Sequence, residues 1–352
     1  MRVLIRGAGV AGLTVAHELA ANGIEVTVAE IAARPGGGAS WFAGGMLAPW
    51  CERESAPETV VTLGCRAADW WDDALPGHVV RNGTLVVAPP RDAAELTRFA
   101  ARTSIFDWLD SEEVGVLEPA LMGRFRKALF FRKEAHLDPR RAIAGLFDKL
   151  AAMGVRFHFN AAPDFSGAGF DHIVDCTGAH CIGQTAELRG VRGEMLLLET
   201  PDVTLSRPVR LLHPRIPLYI VPRGNGVFMV GATMIESEDR GPVSARSLME
   251  LLNAAYALHP AFGEARVTET GAGVRPAFPD NLPRLESNGE TIRVNGFYRH
   301  GFLLAPSIAM EVAAHITASR NSKSQQRAHR SSQGTPLANP PHINPLQIGA
   351  GR

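Results

Sequence analysis

The chain has 352 residues, 45% of them hydrophobic and 20% charged, enough to bury a large core as one domain or as two interleaved ones. Lys plus Arg and Asp plus Glu balance at 36 each, so no net field draws nucleic acid or an anionic membrane, and neither is expected as a partner. The four cysteines, Cys51, Cys65, Cys176 and Cys181, form no CxxC pair and have no histidine at zinc-finger spacing; neither a disulfide framework nor a structural metal is indicated, and reduced, mostly buried thiols are expected.

The chain opens on an apolar strand pattern with no basic n-region ahead of a long apolar run. A secretory signal is therefore not expected, and with no run of about 18 apolar residues to span a membrane the default is a cytoplasmic protein. Arg2 to Arg6 alternate towards a buried strand, Val10 to Asn22 carry helical periodicity, Gly23 falls where a helix C-cap belongs, and Glu25 to Glu30 form a second strand. Together they make a βαβ unit. A glycine-rich stretch, Gly36-Gly37-Gly38-Ala39-Ser40 through Gly44-Gly45-Met46, then leads into helical material with Trp70 and Trp71, and its freedom suits close approach to a ligand.

Asp138-Pro139 places an N-cap ahead of proline at the first helical position, opening a helix towards Met153, after which Gly154 precedes a strand from Val155 to Phe159. Asp171 to Gly178 is a short apolar strand ending at a glycine. Between Arg192 and Gly273 the runs Met195 to Leu198, Leu218 to Val221 and Val227 to Val230 predict an antiparallel sheet. After Ile316 the composition turns to Ser, Gln, Asn, Pro and Arg, too poor in large apolar groups to offset the entropy of ordering, so residues 320–352 are expected to form a disordered tail.

Gly7-Ala8-Gly9-Val10-Ala11-Gly12 fits GxGxxG between a strand and a helix, with Glu30 at the end of the second strand. Gly7 permits the tight turn, Gly9 lets a pyrophosphate approach the backbone, and Gly12 lets the helix pack on the strand. The helix N-terminus offers unpaired N–H donors to phosphate. Glu30 would accept ribose hydroxyls and disfavour a 2′-phosphate. The bland alternative is a tight strand-to-helix corner, and the motif alone does not choose between FAD and NAD. With no second GxGxxG in such a context, an enzyme carrying both is disfavoured.

Of the histidines, His213 and His259 precede prolines and His172 starts a strand, so none forms an acid/base or metal constellation. Cys176 sits in a buried strand, where a thiol loses rather than gains reactivity.

Four stretches carry a resemblance to a known family: GAGVAGL from Gly7 to Leu13, GASWFAGGMLAP from Gly38 to Pro49, YIVPRGNGVFMVGATMIE from Tyr219 to Glu236, and GVRPAFPDNLP with YRHGFLLAPSIA from Gly273 and Tyr298. Over residues 1–316 the chain resembles the D-amino-acid oxidase superfamily of FAD-dependent oxidoreductases, closest to the glycine oxidases of thiamine biosynthesis. The resemblance implies an α/β fold, α+β in part. A Rossmann-like FAD-binding domain (residues 1–80, 137–190 and 272–318) would be interleaved with an antiparallel-sheet substrate domain (81–136 and 191–271).

It also implies non-covalent FAD, with Ala39, Ser40, Gly44, Gly45 and Met46 lining the flavin, Pro163 on the adenine side, and Gly178 at the end of the returning strand. Tyr298, Arg299, His300, Gly301, Phe302 and Leu303 would form the turn and helix that approach the flavin ring. For the glycine-rich segment the alternative is a mobile surface loop. Arg275 matches the arginine that binds the substrate carboxylate, and its planar fork suits a bidentate contact. Tyr219 would donate a hydrogen bond to that carboxylate or wall the cavity, the alternative being a packed strand tyrosine. Arg299 would reach substrate or form a surface salt bridge. His300 stands where relatives often carry a non-ionising polar residue. Trp41 and Phe42 stand where relatives carry small ones, either narrowing the flavin-side channel or filling core.

The implied reaction is oxidation of glycine by dioxygen to glyoxylate, ammonia and hydrogen peroxide, through an imine destined for thiazole synthesis. Positioning would carry the catalysis, with no side chain needed as acid or base. The alternatives are a sarcosine or D-amino-acid oxidase or dehydrogenase and, from another class, a non-catalytic FAD-binding subunit of an amine dehydrogenase. A homo-oligomer stays open.

Overall fold

The computed structural model describes residues 1–162, 165–212 and 218–332, with backbone alone from 320 onward. Two sheets organise it. The first has six strands in the order Arg284–Asn288, Thr291–Asn295, His172–Asp175, Arg2–Arg6, Glu25–Ala29, Arg156–His158. All its neighbours run parallel except the hairpin at the Arg284–Asn288 edge. Arg2–Arg6 is central, fully buried at Val3, Leu4 and Ile5, as its near-continuous apolar run requires of a parallel strand covered on both faces.

The helix Val10–Ala21 connects Arg2–Arg6 to its parallel neighbour Glu25–Ala29 on one side, while His172–Asp175 pairs on the other. Strand order therefore reverses at the carboxyl end of Arg2–Arg6, the place where open α/β sheets hold ligands. Gly7 turns the chain there with φ +98°, and a Cβ on it would lie 2.6 Å from the Cys176 carbonyl oxygen. A Cβ on Gly12 would lie 1.9 Å from the Gly7 carbonyl oxygen, so helix and turn touch backbone to backbone.

The helix Pro139–Ala152 starts as its sequence dictates: the Asp138 carboxylate accepts from the amides of Arg140 at 2.8 Å and Arg141 at 3.3 Å. It delivers the chain to Arg156–His158, which pairs parallel with Glu25–Ala29.

The second sheet has nine strands, antiparallel apart from the pairing of Val209–Leu211 with Thr84–Val87. Its long members, Arg189–Glu199 and Arg266–Ala277, pair antiparallel with Val191 opposite Arg275. Ala277 then bridges to Phe297, so this ladder leads directly into the turn before the last helix. Leu85, Leu196, Leu198, Ile220 and Val230 pack with the helix Ala245–Leu258 into one apolar cluster of this sheet.

The last helix is Gly301–Ser332, its bounds crossing residue 320; residues 333–352, where the rest of the expected tail falls, lie outside the described residues. Ala314–Arg352 separates from Met1–Ala313 as a second unit. Contrary to the expectation from the sequence, Gly301–Ser319 is long and apolar enough to cross a membrane by length and composition, with mean hydropathy 1.4. Its apolar residues have a simpler use: Phe302, Leu303, Leu304, Ala305, Ile308, Ala309 and Val312 are buried in the protein core, and the Phe302 carbonyl accepts from Nε1 of the fully buried Trp71 at 2.8 Å. All four cysteines are free, and Cys65 alone is exposed.

Glu134 is a buried carboxyl beside the second sheet. Its Oε1 accepts from the Cys51 amide at 2.7 Å, its Oε2 has no partner among the described residues, and burial raises its pKa from 4.5 to about 8.

Two outcomes follow from these contacts. Gly12→Ala forces the helix off the turn and should lower stability by about 1–3 kcal/mol, the usual cost of overpacking, read as a lower Tm; an unchanged Tm would contradict the backbone contact. Because the folded Glu134 holds its proton to higher pH than the unfolded chain does, stability present below pH 4.5 drains away as pH rises towards about 8. Glu134→Gln should therefore stabilise the protein more at alkaline than at acid pH in thermal denaturation, and a pH-independent difference would refute the assignment.

Candidate active site

A cavity of about 900 Å³ runs along the carboxyl end of the first sheet and reaches the second, at the upper end of the range for cofactor sites. Gly7, Gly9, Val10 and Ala11 line it, with the helix beginning at Gly9 without any side-chain cap, so first-turn amides face the space where an anion would be stabilised. The Val10 amide donates to Ser40 Oγ at 3.1 Å. Glu30 also lines the cavity, its two oxygens accepting from the amides of Ala8 at 2.6 Å and Ala32 at 2.9 Å. A carboxylate has further lone pairs, so the Glu30 oxygens retain capacity for ribose hydroxyls.

Ala39, Ser40, Gly44, Gly45 and Met46 form the next part of the wall. They belong to a fixed segment. Half-buried Arg223 donates to the carbonyls of Leu137 at 3.1 Å, Ala43 at 3.1 Å and Gly44 at 3.0 Å. Arg140 grips Glu269 with both terminal nitrogens, at 2.8 and 2.6 Å, and donates to the Trp41 carbonyl at 3.2 Å. The guanidinium groups of Arg34 and Arg140 both stand over the Trp41 ring, at 3.9 and 4.7 Å from its centroid, a cation–π arrangement. Trp41 thus braces the loop from outside, whereas Phe42 lines the cavity and fills the space left by Gly271 and Gly273.

Gly178, Tyr219, Arg275, Tyr298, Arg299, Gly301 and Phe302 complete the expected wall. Ala8, Gly12, His300 and Leu303 lie behind it: Ala8, Gly12 and Leu303 are taken up in backbone and helix packing, and His300 is buried at 4% exposure. Pro163 and His213 fall outside the described residues.

Arg275 projects from its strand over Gly193, its diagonal neighbour on the same face. A Cβ on Gly193 would meet Arg275 Nη2 at 2.0 Å, so glycine is what makes room for the guanidinium. Its one hydrogen bond runs from Nη1 to the Thr233 carbonyl at 3.1 Å, and among the described residues no carboxylate pairs with it. Burial, with the nearby charge of Arg299, lowers its pKa to about 10.

Arg299 is differently placed. Its Nε donates to Glu52 Oε2 at 2.8 Å and its Nη2 to the same oxygen, while Nη1 meets the Met234 sulfur at 3.4 Å. Glu52 is 6% exposed and the Arg299 side chain 16%, so the pair is largely buried and is not the surface salt bridge that the sequence offered as the alternative. Removing one member of such a pair costs about 3–5 kcal/mol. Burial opposes the charge on Glu52, yet Arg299, His300 and Arg210 outweigh it and hold its pKa at about 2.

The Tyr219 hydroxyl donates its single proton to Glu52 Oε1 at 2.8 Å and accepts from Arg210 Nη1 at 3.0 Å. Tyr219 and Arg210 face each other across adjacent strands. With its proton committed, Tyr219 walls the cavity and donates nothing into it. Arg210 in turn reaches Glu54 at 3.2 Å. Sequence reading missed Glu52, Glu54, Arg210 and Arg223 because each finds its partner across the chain, and no local pattern marks them.

These residues fit a flavin dinucleotide: a glycine turn opening a helix, an acidic residue at the second strand, and a clamped glycine segment all line one cavity. Residues 2–315 match the family described as FAD dependent oxidoreductase, DAO. A Rhizobium etli protein named, provisionally, as thiamine biosynthesis oxidoreductase ThiO is 66% identical over 90% of this chain and 96% of its own. Glycine oxidase of Bacillus licheniformis is 27% identical over 89% of this chain and 92% of its own. The crystal structure of glycine oxidase from Geobacillus kaustophilus superimposes with TM-score 0.73 at 26% identity, covering 89% of this chain and 94% of that one. With the family match running through the cavity's full set of elements, the chain belongs to the DAO family of FAD-dependent oxidoreductases.

Proposed function

We propose that the chain oxidises the carbon–nitrogen bond of glycine or a similarly small amino acid, and that the product supplies thiazole formation in thiamine biosynthesis. The observation that carries this reading is Arg275, a guanidinium facing the cavity with a carbonyl as its only partner among the described residues, in a chain whose relatives bear the names glycine oxidase and thiamine biosynthesis oxidoreductase. The overall change is glycine, water and dioxygen to glyoxylate, ammonia and hydrogen peroxide. FAD, when bound, supplies the two-electron acceptor for the substrate Cα–H and passes the electrons to dioxygen.

In this reading the first-turn amides and Gly7 and Gly9 hold the pyrophosphate, Glu30 takes the ribose hydroxyls, and the clamped segment Ala39 to Met46 flanks the ring. Arg275 grips the substrate carboxylate with two parallel N–H bonds, fixing the direction of Cα. Tyr219 and Phe42 shape the wall. Oxidation needs a neutral amine, and the ionisable neighbours are poor bases at neutral pH: Glu52 is held at about 2 by its cationic partners, and burial lowers His300 to about 4. The substrate therefore loses its ammonium proton to solvent before it reacts.

Glycine added anaerobically should bleach the yellow holoprotein, and a panel with sarcosine, D-alanine and D-proline ranks the substrates; failure of all four to reduce the flavin rejects the reading. Arg275→Leu should retain FAD yet raise KM for glycine about thirtyfold or more, since losing a buried carboxylate contact costs about 2–5 kcal/mol. An unchanged KM removes Arg275 from the substrate. The pH profile of kcat/KM should climb through neutrality with the substrate's own amine; an acid limb set by an enzyme group between about pH 5 and 7 would instead reveal a base.

A further inference from the structure

Beside Tyr219 and Met234 the cavity is lined by three charged side chains, Arg275, Arg299 and Glu52. Two cations face one anion. Glu52 gives Oε2 to both Nε and Nη2 of Arg299 and Oε1 to Tyr219, so its charge is spent on Arg299. The remaining contact of Arg299, to the Met234 sulfur at 3.4 Å, involves a weak acceptor that carries no charge. Behind the wall Arg210 is matched by Glu54 at 3.2 Å, and Glu134, raised to about 8, is protonated at neutral pH. Among the described residues beside Tyr219 and Met234, one uncompensated unit of positive charge faces a substrate, that of Arg275.

We infer that Glu52 sets the charge class of the substrate: by neutralising Arg299 it leaves the site one cation, restricting it to amines with a single carboxylate and rejecting aminodicarboxylates. The inference rests on the proposed role of Arg275. The reactive substrate form, a neutral amine with one carboxylate, carries one negative charge and cancels that of Arg275. A second carboxylate would be desolvated beside Glu52 with no cation among the described residues to meet it. Desolvating a second charge without a partner is a strong source of discrimination, and burial weakens screening by salt. Glu52 acts here on specificity and takes no proton.

The test uses the FAD-loaded protein and two unreactive probes, acetate and malonate, whose dissociation constants are read from perturbation of the flavin spectrum and by calorimetry. Glu52→Gln releases Arg299, and the affinity ratio should shift towards malonate by about tenfold or more. The ratio of kcat/KM for iminodiacetate over glycine should move the same way. The double variant E52Q/R299Q again presents one cation and should restore the wild-type ratio.

A folded, flavin-loaded E52Q protein with an unchanged ratio overturns the proposal. So does a double variant in which the shifted ratio fails to return, because charge count is then not the cause. Should E52Q not fold, Arg299→Gln alone decides: with Glu52 left bare, malonate should lose about tenfold more affinity than acetate, and equal losses overturn the inference. Acetate binding that survives Arg275→Leu refutes the underlying carboxylate reading instead, a result distinct from an unmoved ratio in E52Q.

Discussion

A half-buried guanidinium with no carboxylate partner among the described residues is costly, and the fold tolerates one at Arg275. Desolvating an ion costs several kcal/mol even after relaxation, and the lowered pKa of Arg275, about 10, registers that cost. Two other arginines of the same chain show the usual solution. Arg192, on the strand paired with that of Arg275, bonds Glu194 at 2.5 Å, and Arg207 bonds Glu118 at 2.6 Å. Arg275 has Thr233 and the hollow over Gly193. An arginine built only for stability would have been paired.

The groups around it are arranged so that this imbalance persists. Glu52 could have neutralised Arg275, but Arg299 and Tyr219 occupy both its oxygens, and Arg210 backs Tyr219 from the far side. The network also keeps its members unreactive. Burial pushes the Cys51 thiol to about 12, so a cysteine within reach of the site carries no thiolate.

The wall around these charges is rigid for reasons that lie outside the cavity. Arg223 ties three carbonyls of the glycine segment and the neighbouring strand end together, and Arg140 couples Trp41 to Glu269 on the strand that also bears Arg275. Because Arg266–Ala277 belongs to the second sheet and Ala277 bridges to Phe297, the arginine and the turn before the last helix are held in one frame.

The sequence by itself determined the elements whose partners are near neighbours. The turn at Gly7 to Gly12, the Asp138 cap and the alternating runs of the second sheet are legible because a tight turn, a cap or an amphipathic strand is decided by residues within a few positions. The resemblance also picked out Arg275, Tyr219 and the glycine segment. Only the tertiary structure decided what those side chains do with their donors: Arg299 meets Glu52 across 247 positions, and Arg210 meets Cys51 across 159. Helical phase likewise turned Leu303 into the core while Phe302 reaches the cavity. Charge pairing depends on distance in space and on exclusion of water, and neither exists until the two sheets close around the cavity.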